Sequence, residues 1–86
     1  MSSSDPQFEV LQTVDASGLM CPQPVLLTRA ALEALNPGEH LELRATDPHT
    51  SLDIEVFCAT TGHHLVETRS AEGIWRFWIQ KRAASQ

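Results

Sequence analysis

The sequence predicts an α/β domain: a two-layer sandwich of order β-α-β-α-β-β, with a four-stranded mixed sheet and two helices on one face. Three observations carry this. Four short segments alternate apolar and polar residues; two stretches between them repeat apolar residues at helical spacing; and the breaks hold turn and helix-stop residues, namely Ser17-Gly18, Asn36-Pro37-Gly38, Asp47-Pro48, Gly62 and Ala71-Glu72-Gly73. The first two strands, with a helix between them, are expected to run parallel through a right-handed crossover. The last two, joined by a tight turn, read as a hairpin.

Taken in order, residues 1–7 are mostly small and polar and are expected to form a disordered N-terminal arm. The first strand, Phe8 to Ala16, sets Val10, Gln12 and Val14 on one face and Leu11 and Thr13 on the other. From Val25 to Leu35 no Gly or Pro interrupts a helix. A turn of about 100° per residue gathers Pro24, Val25, Thr28, Ala31, Leu32 and Leu35 on its core side, with Arg29 and Glu33 opposite. Leu26 falls on the polar side, one turn beyond Cys21. It is a candidate contact for a docking protein, with Arg29 as a second, although singly exposed leucines are also common.

His40 to Thr46 alternates Leu41, Leu43 and Ala45 inward with Glu42 and Arg44 outward. Asp47-Pro48-His49-Thr50 is a turn that offers caps to a second helix ending at Gly62. Ile54, Phe57, Cys58 and Thr61 share one face of that helix, which places Cys58 in the core as a structural residue. Leu52, Val56 and Ala59 form a second stripe, either a partner surface or the helix's border with the sheet. In the strand from Ile74 to Lys81, Trp75, Phe77 and Ile79 point one way and Ile74, Arg76, Trp78 and Gln80 the other, so one tryptophan is expected on the open face of the sheet. Residues 83–86 are read as a frayed tail, which leaves 8–82 as the domain.

Eighty-six residues bound the chain to one domain with one core. Six basic against eleven acidic residues, a formal charge of −5, give little electrostatic means of holding a phosphate backbone, so direct nucleic-acid binding is not expected. No apolar run approaches membrane-spanning length. The two distant cysteines give no case for a disulfide framework, and the chain reads as cytoplasmic with reduced thiols. Four scattered histidines, His40, His49, His63 and His64, form no short ligand spacing with those cysteines, so neither a metal site nor a cofactor is expected.

The chemistry concentrates in Gly18-Leu19-Met20-Cys21-Pro22-Gln23-Pro24. Pro22 suits the first helical position, which places Cys21 at the N-cap. There the helix dipole and free amides are expected to favour a thiolate. Pro24 removes one donor, leaving mainly the Gln23 and Val25 amides for the sulfur, so a moderate fall in the thiol's pKa is expected. The position of a second thiol in a thioredoxin-type motif is Pro24, so no local resolving cysteine exists.

At this point the sequence resembles the TusA (SirA-like) family of small sulfur carriers. The matching pieces are Asp15-Ala16-x-Gly18-Leu19-x-Cys21-Pro22-x-Pro24, Pro37-Gly38-Glu39-x-Leu41, Asp47-Pro48, Asp53-Ile54, Gly62-His63-x-Leu65 and Ile79-x-Lys81, spanning about residues 12–82. The resemblance implies that Cys21 carries sulfane sulfur as a persulfide, with Gly18, Leu19, Pro22 and Pro24 as the supporting motif. It implies a cysteine desulfurase or rhodanese-type donor and a DsrE-like or other thiol acceptor. It also implies a place in a sulfur relay serving tRNA wobble-uridine 2-thiolation, molybdenum-cofactor sulfur supply or dissimilatory sulfur metabolism. Two further readings fit the residues. One is a thiol-independent interaction or regulatory module using Leu26, the Leu52/Val56/Ala59 stripe and an exposed tryptophan; the other is an enzyme with Cys21 as nucleophile.

Overall fold

The computed structural model describes residues 6–83; of the arm and tail read from the sequence, residues 1–5 and 84–86 lie outside them. The elements are β1 (Val10–Ala16), α1 (Gln23–Glu33), β2 (His40–Ala45), α2 (His49–Thr61), β3 (His64–Ala71) and β4 (Ile74–Gln80). The sheet order is β1-β2-β4-β3, with β1 parallel to β2 and both pairings of β4 antiparallel. Helix α1 packs on β1 and β2, α2 packs on β3, and the helices touch each other. The expected β-α-β-α-β-β sandwich is therefore the one observed.

The core lies between the layers. Val14 and Ala16, Leu41, Leu43 and Ala45, and Phe77 and Ile79 come from the sheet; Ala31 and Leu32 come from α1, and Ile54, Phe57 and Cys58 from α2. Each set follows the period of its own element, two on a strand and 3.6 on a helix, which is why the chain folds in this register. Phe8 lies outside β1 and stacks on the His40 ring at 3.9 Å.

The turns that join the layers are closed from the far end of the chain. Gly38 N–H donates to Lys81 O and Lys81 N–H to Glu39 O, at 3.0 and 2.8 Å, while the Lys81 ammonium donates to Leu32 O at 2.6 Å near the end of α1. Arg82 does the same for α2, donating to Thr61 O at 2.6 Å beside the left-handed Gly62 (φ 88°). Cations on these carbonyls complement the negative ends of both helices.

The open face corrects one expectation. Trp78 does point away from the helices, yet it is only 1% exposed. Strand register explains this. Glu42, Trp78 and Glu67 form one cross-strand row, and Arg44, Arg76 and Arg69 the adjacent one. The Arg76 and Arg69 guanidiniums lie over the indole at 4.6 and 5.4 Å from its centroid. Arg69 also pairs with Glu67, and Arg44 and Arg76 both bond Glu42 Oε2, at 2.7 and 2.8 Å, leaving Glu42 5% exposed. An exposed tryptophan is thus not available to a partner.

Burial would push the Glu42 carboxyl up, but the Arg76 and Arg44 hydrogen bonds and charges outweigh it and hold it below the usual carboxylate range. A group with a lowered folded pKa contributes stability that is present above its unfolded pKa and lost as pH falls through the folded one. Glu42→Gln is therefore expected to cost about 1–3 kcal/mol at neutral pH. Urea titrations at pH 7 and in acid check this, since the difference between wild type and variant should shrink as the wild-type carboxyl protonates.

Candidate functional site

Three pieces of backbone build the site around Cys21. At the end of β1, Leu19 N–H donates to Ala16 O at 3.1 Å and Gly18 N–H to Thr46 Oγ1 at 2.8 Å, which ties the loop to the end of β2. Gly18 takes φ +80°, a conformation that L side chains rarely adopt. Leu19 then packs its side chain against the core and Met20 is left 72% exposed. The loop is anchored a second time at Cys21 itself, whose N–H donates to Asp47 Oδ2 at 3.0 Å.

Asp47 is the residue that joins the two helix starts. Its Oδ1 accepts from His49 N–H and faces His49 Nδ1, both at 3.0 Å, while its Oδ2 holds the Cys21 amide. The Cys21 and His49 backbone bonds keep its carboxyl below the ordinary range. One carboxylate therefore fixes the reactive loop to the first turn of α2.

Pro22, not Cys21, is the N-cap of α1, so the cysteine sits one residue further out than expected, in the exposed turn that leads into the helix. The amides assigned to its sulfur are also engaged elsewhere. Gln23 N–H donates to Met20 O, and Val25 N–H and Leu26 N–H donate to Pro22 O, at 2.9, 3.1 and 3.2 Å. Pro22 and Pro24 have no N–H to give. The expected fall in the thiol's pKa is reversed: the Asp53 carboxylate that shares the groove with Cys21 acts most strongly, then partial desolvation, then the Asp47 charge, and together they push the Cys21 thiol up.

Cys21, Pro22 and Val25 on one side and Leu52, Asp53, Val56 and Phe57 on the other line a shallow groove of about 370 Å³ between the helix starts. Leu52 and Val56 are 65% and 53% exposed, so the second stripe of α2 is a solvent-facing apolar surface beside the thiol. Pro24 is buried under the same turn. Leu26 is exposed on α1 but does not line the groove, and Arg29 lines a separate depression with Glu33, His63 and Lys81. Among the described residues no histidine lines the groove, and no three His, Cys, Asp or Glu side chains gather as metal ligands.

Cys58 contrasts with Cys21 in exposure. It is buried in the core, and burial pushes its thiol up to about 11. His63 is likewise committed: its Nδ1 accepts from Arg82 N–H at 3.1 Å and its ring lies 5.7 Å from Phe57. The residues that reading by periodicity missed are Asp47 and Asp53. Both stand among the family-matching pairs Asp47-Pro48 and Asp53-Ile54, but only folding brings them to a cysteine more than twenty-five residues earlier.

Among the described residues no helix is long and apolar enough to cross a membrane. The protein-family model described as "Sulfurtransferase TusA" matches residues 12–81. The chain is 44% identical over 70 residues to the sulfur carrier protein TusA of Pseudomonas paraeruginosa, covering 81% of this chain and 89% of that protein. It is 39% identical over 83 residues to the TusA of Pseudomonas syringae pv. syringae, covering 96% of this chain and 99% of that one. The crystal structure of a SirA-like protein from Desulfitobacterium hafniense superposes with a TM-score of 0.74 at 22% identity, covering 84% of this chain and 99% of that one, which shows the shared fold. The glycine turn, the exposed Cys-Pro-x-Pro and the Asp47 anchor thus stand in a chain that belongs to the TusA family.

Proposed function

We propose that the protein is a sulfur carrier that accepts sulfane sulfur as a persulfide on Cys21 and yields it to a cysteine of another protein. The observation that carries this reading is the exposed Cys21, with the chain's other cysteine buried in the core, beside an open apolar surface. A thiol so placed can hold a terminal sulfur without losing it to an internal disulfide. Its relatives' name, sulfur carrier protein, supports the same role.

The transfer balances without an oxidant. The Cys21 sulfur attacks the terminal sulfur of a donor persulfide, the donor's S–S bond breaks, its cysteine leaves as a thiolate and takes up a proton, and Cys21 is left as the persulfide. The return step repeats this with the acceptor thiol as attacker on the terminal sulfur of Cys21. A cysteine desulfurase or a rhodanese-type enzyme is the donor class, and a DsrE-like or other thiol protein the acceptor class. We place the carrier in the cytoplasm, in a relay that ends in tRNA wobble-uridine 2-thiolation, molybdenum-cofactor sulfuration or dissimilatory sulfur metabolism.

Intact-protein mass spectrometry tests the loading. After incubation with a cysteine desulfurase and cysteine, the protein should gain one sulfur atom that a reductant removes. A chain whose mass does not change would refute the proposal.

A further inference from the structure

The groove at Cys21 combines two features that conflict in an isolated molecule. Its rim is apolar and exposed, at Leu52 and Val56, while beside the sulfur stand two carboxylates, Asp53 in the groove wall and Asp47 at the Cys21 amide. Among the described residues no cation lines the groove. His49, the one basic group bonded to Asp47 among the described residues, is largely exposed and attaches to Oδ1, whereas the Cys21 amide takes Oδ2. The arginines of this acidic chain lie elsewhere: Arg44, Arg69 and Arg76 on the open sheet face, Arg29 and Arg82 in another depression. Among the described residues nothing neutralises the negative potential at the thiol, which leaves it for a partner to do so.

Resting on the carrier reading above, we propose that Asp53 gates Cys21 and selects its partners: the groove docks a protein that sets a lysine or arginine, ringed by apolar side chains, beside its own sulfur-bearing cysteine. In the free carrier the Asp53 carboxylate holds the thiol in its resting form. A partner's cation paired with Asp53 withdraws that hold and favours the attacking sulfur anion, and its apolar ring covers Leu52 and Val56. The arrangement makes Cys21 slow toward small electrophiles and responsive to a protein of complementary chemistry. Complementary charge at a contact acts in this way, through encounter rate and choice of partner. Asp53 is a positioning residue here; the bonds that form and break are those of the sulfur exchange already written.

The potential can be read with a matched pair of methanethiosulfonate reagents, one carrying a trimethylammonium group and one a sulfonate. The ratio of their rates on Cys21, divided by the ratio on uncharged N-acetylcysteinamide, should exceed unity by at least about threefold, since unit charges about 4 Å apart in water interact by about 1 kcal/mol. Asp53→Asn should reduce the ratio by a similar factor and raise the rate with neutral iodoacetamide. Asp53→Glu should retain most of the wild-type ratio. Asp53→Ser serves if the asparagine variant does not fold, as judged by circular dichroism. A wild-type ratio equal to that of the free thiol, or a ratio unmoved by removing Asp53, overturns the gate. Desulfurase loading of the same samples separates the two claims, since failure to load at all would remove the carrier reading, whereas loading with an unchanged ratio removes only the gate.

Discussion

Cys21→Ser is expected to take up no sulfur from a cysteine desulfurase supplied with cysteine, while Cys58→Ser loads to the wild-type extent. The two thiols differ in the property that sulfur exchange requires. Cys21 is exposed in a turn, while Cys58 is buried between α2 and the sheet with its thiol pushed up to about 11. The thiolate is the nucleophile, and a thiol buried in apolar surroundings is inert. Cys21→Ser keeps the backbone N–H that bonds Asp47, so the loop geometry survives and the loss reports chemistry alone. Mass shift per protein and removal by reductant are the readouts, with thermal unfolding to show that both variants fold.

Leu52→Gln and Val56→Gln, which remove the apolar contact without adding charge beside Cys21, are expected to slow sulfur uptake from the desulfurase by at least about tenfold each, which corresponds to about 1.4 kcal/mol of lost contact. Both side chains are more than half exposed on the α2 face that flanks Cys21. Substitutions at such positions ordinarily change stability by within about 0.5 kcal/mol. A large kinetic loss at constant melting temperature would therefore place the partner on this face. Initial rates of loading at subsaturating carrier, compared with iodoacetamide alkylation of the same variants, check the expectation. Alkylation by a small neutral reagent should stay near wild type. Uptake that matches wild type in both variants would move the contact elsewhere, with Leu26 and Arg29 on α1 as the next surfaces to alter.

The layout of the fold was legible because each element buries one face and its period survives in the sequence: Leu41, Leu43 and Ala45 on a strand, Ile54, Phe57 and Cys58 on a helix. Gly62 was legible as a helix stop because the left-handed conformation it takes is one that L side chains rarely adopt. What could not be read depends on partners distant in the chain. Alternation alone places Trp78 on the open face; its burial follows from Arg76 in its own strand and Arg69 in the next, which only the β3–β4 register puts over the ring.

The same reason governs the site. Cys21 at the start of a helix was evident, and so was the scarcity of donors between two prolines. Counting the Gln23 and Val25 amides as free ignored the local carbonyls of Met20 and Pro22, which capture them. The charges that do reach the sulfur come from Asp47 and Asp53, on the far side of β2 in sequence. The thiol is thus open to partners, as expected, but restrained in the free protein instead of activated by its helix.

The most direct measurement locates the sulfur. The protein is loaded by a cysteine desulfurase, its exposed sulfur groups are alkylated under nondenaturing conditions, and the digested peptides are compared with and without reductant before alkylation. The account predicts one alkylated persulfide, on the peptide that contains Cys21, and an unmodified thiol at Cys58. A persulfide found on Cys58, or none on Cys21 in a protein that has gained sulfur, would contradict it.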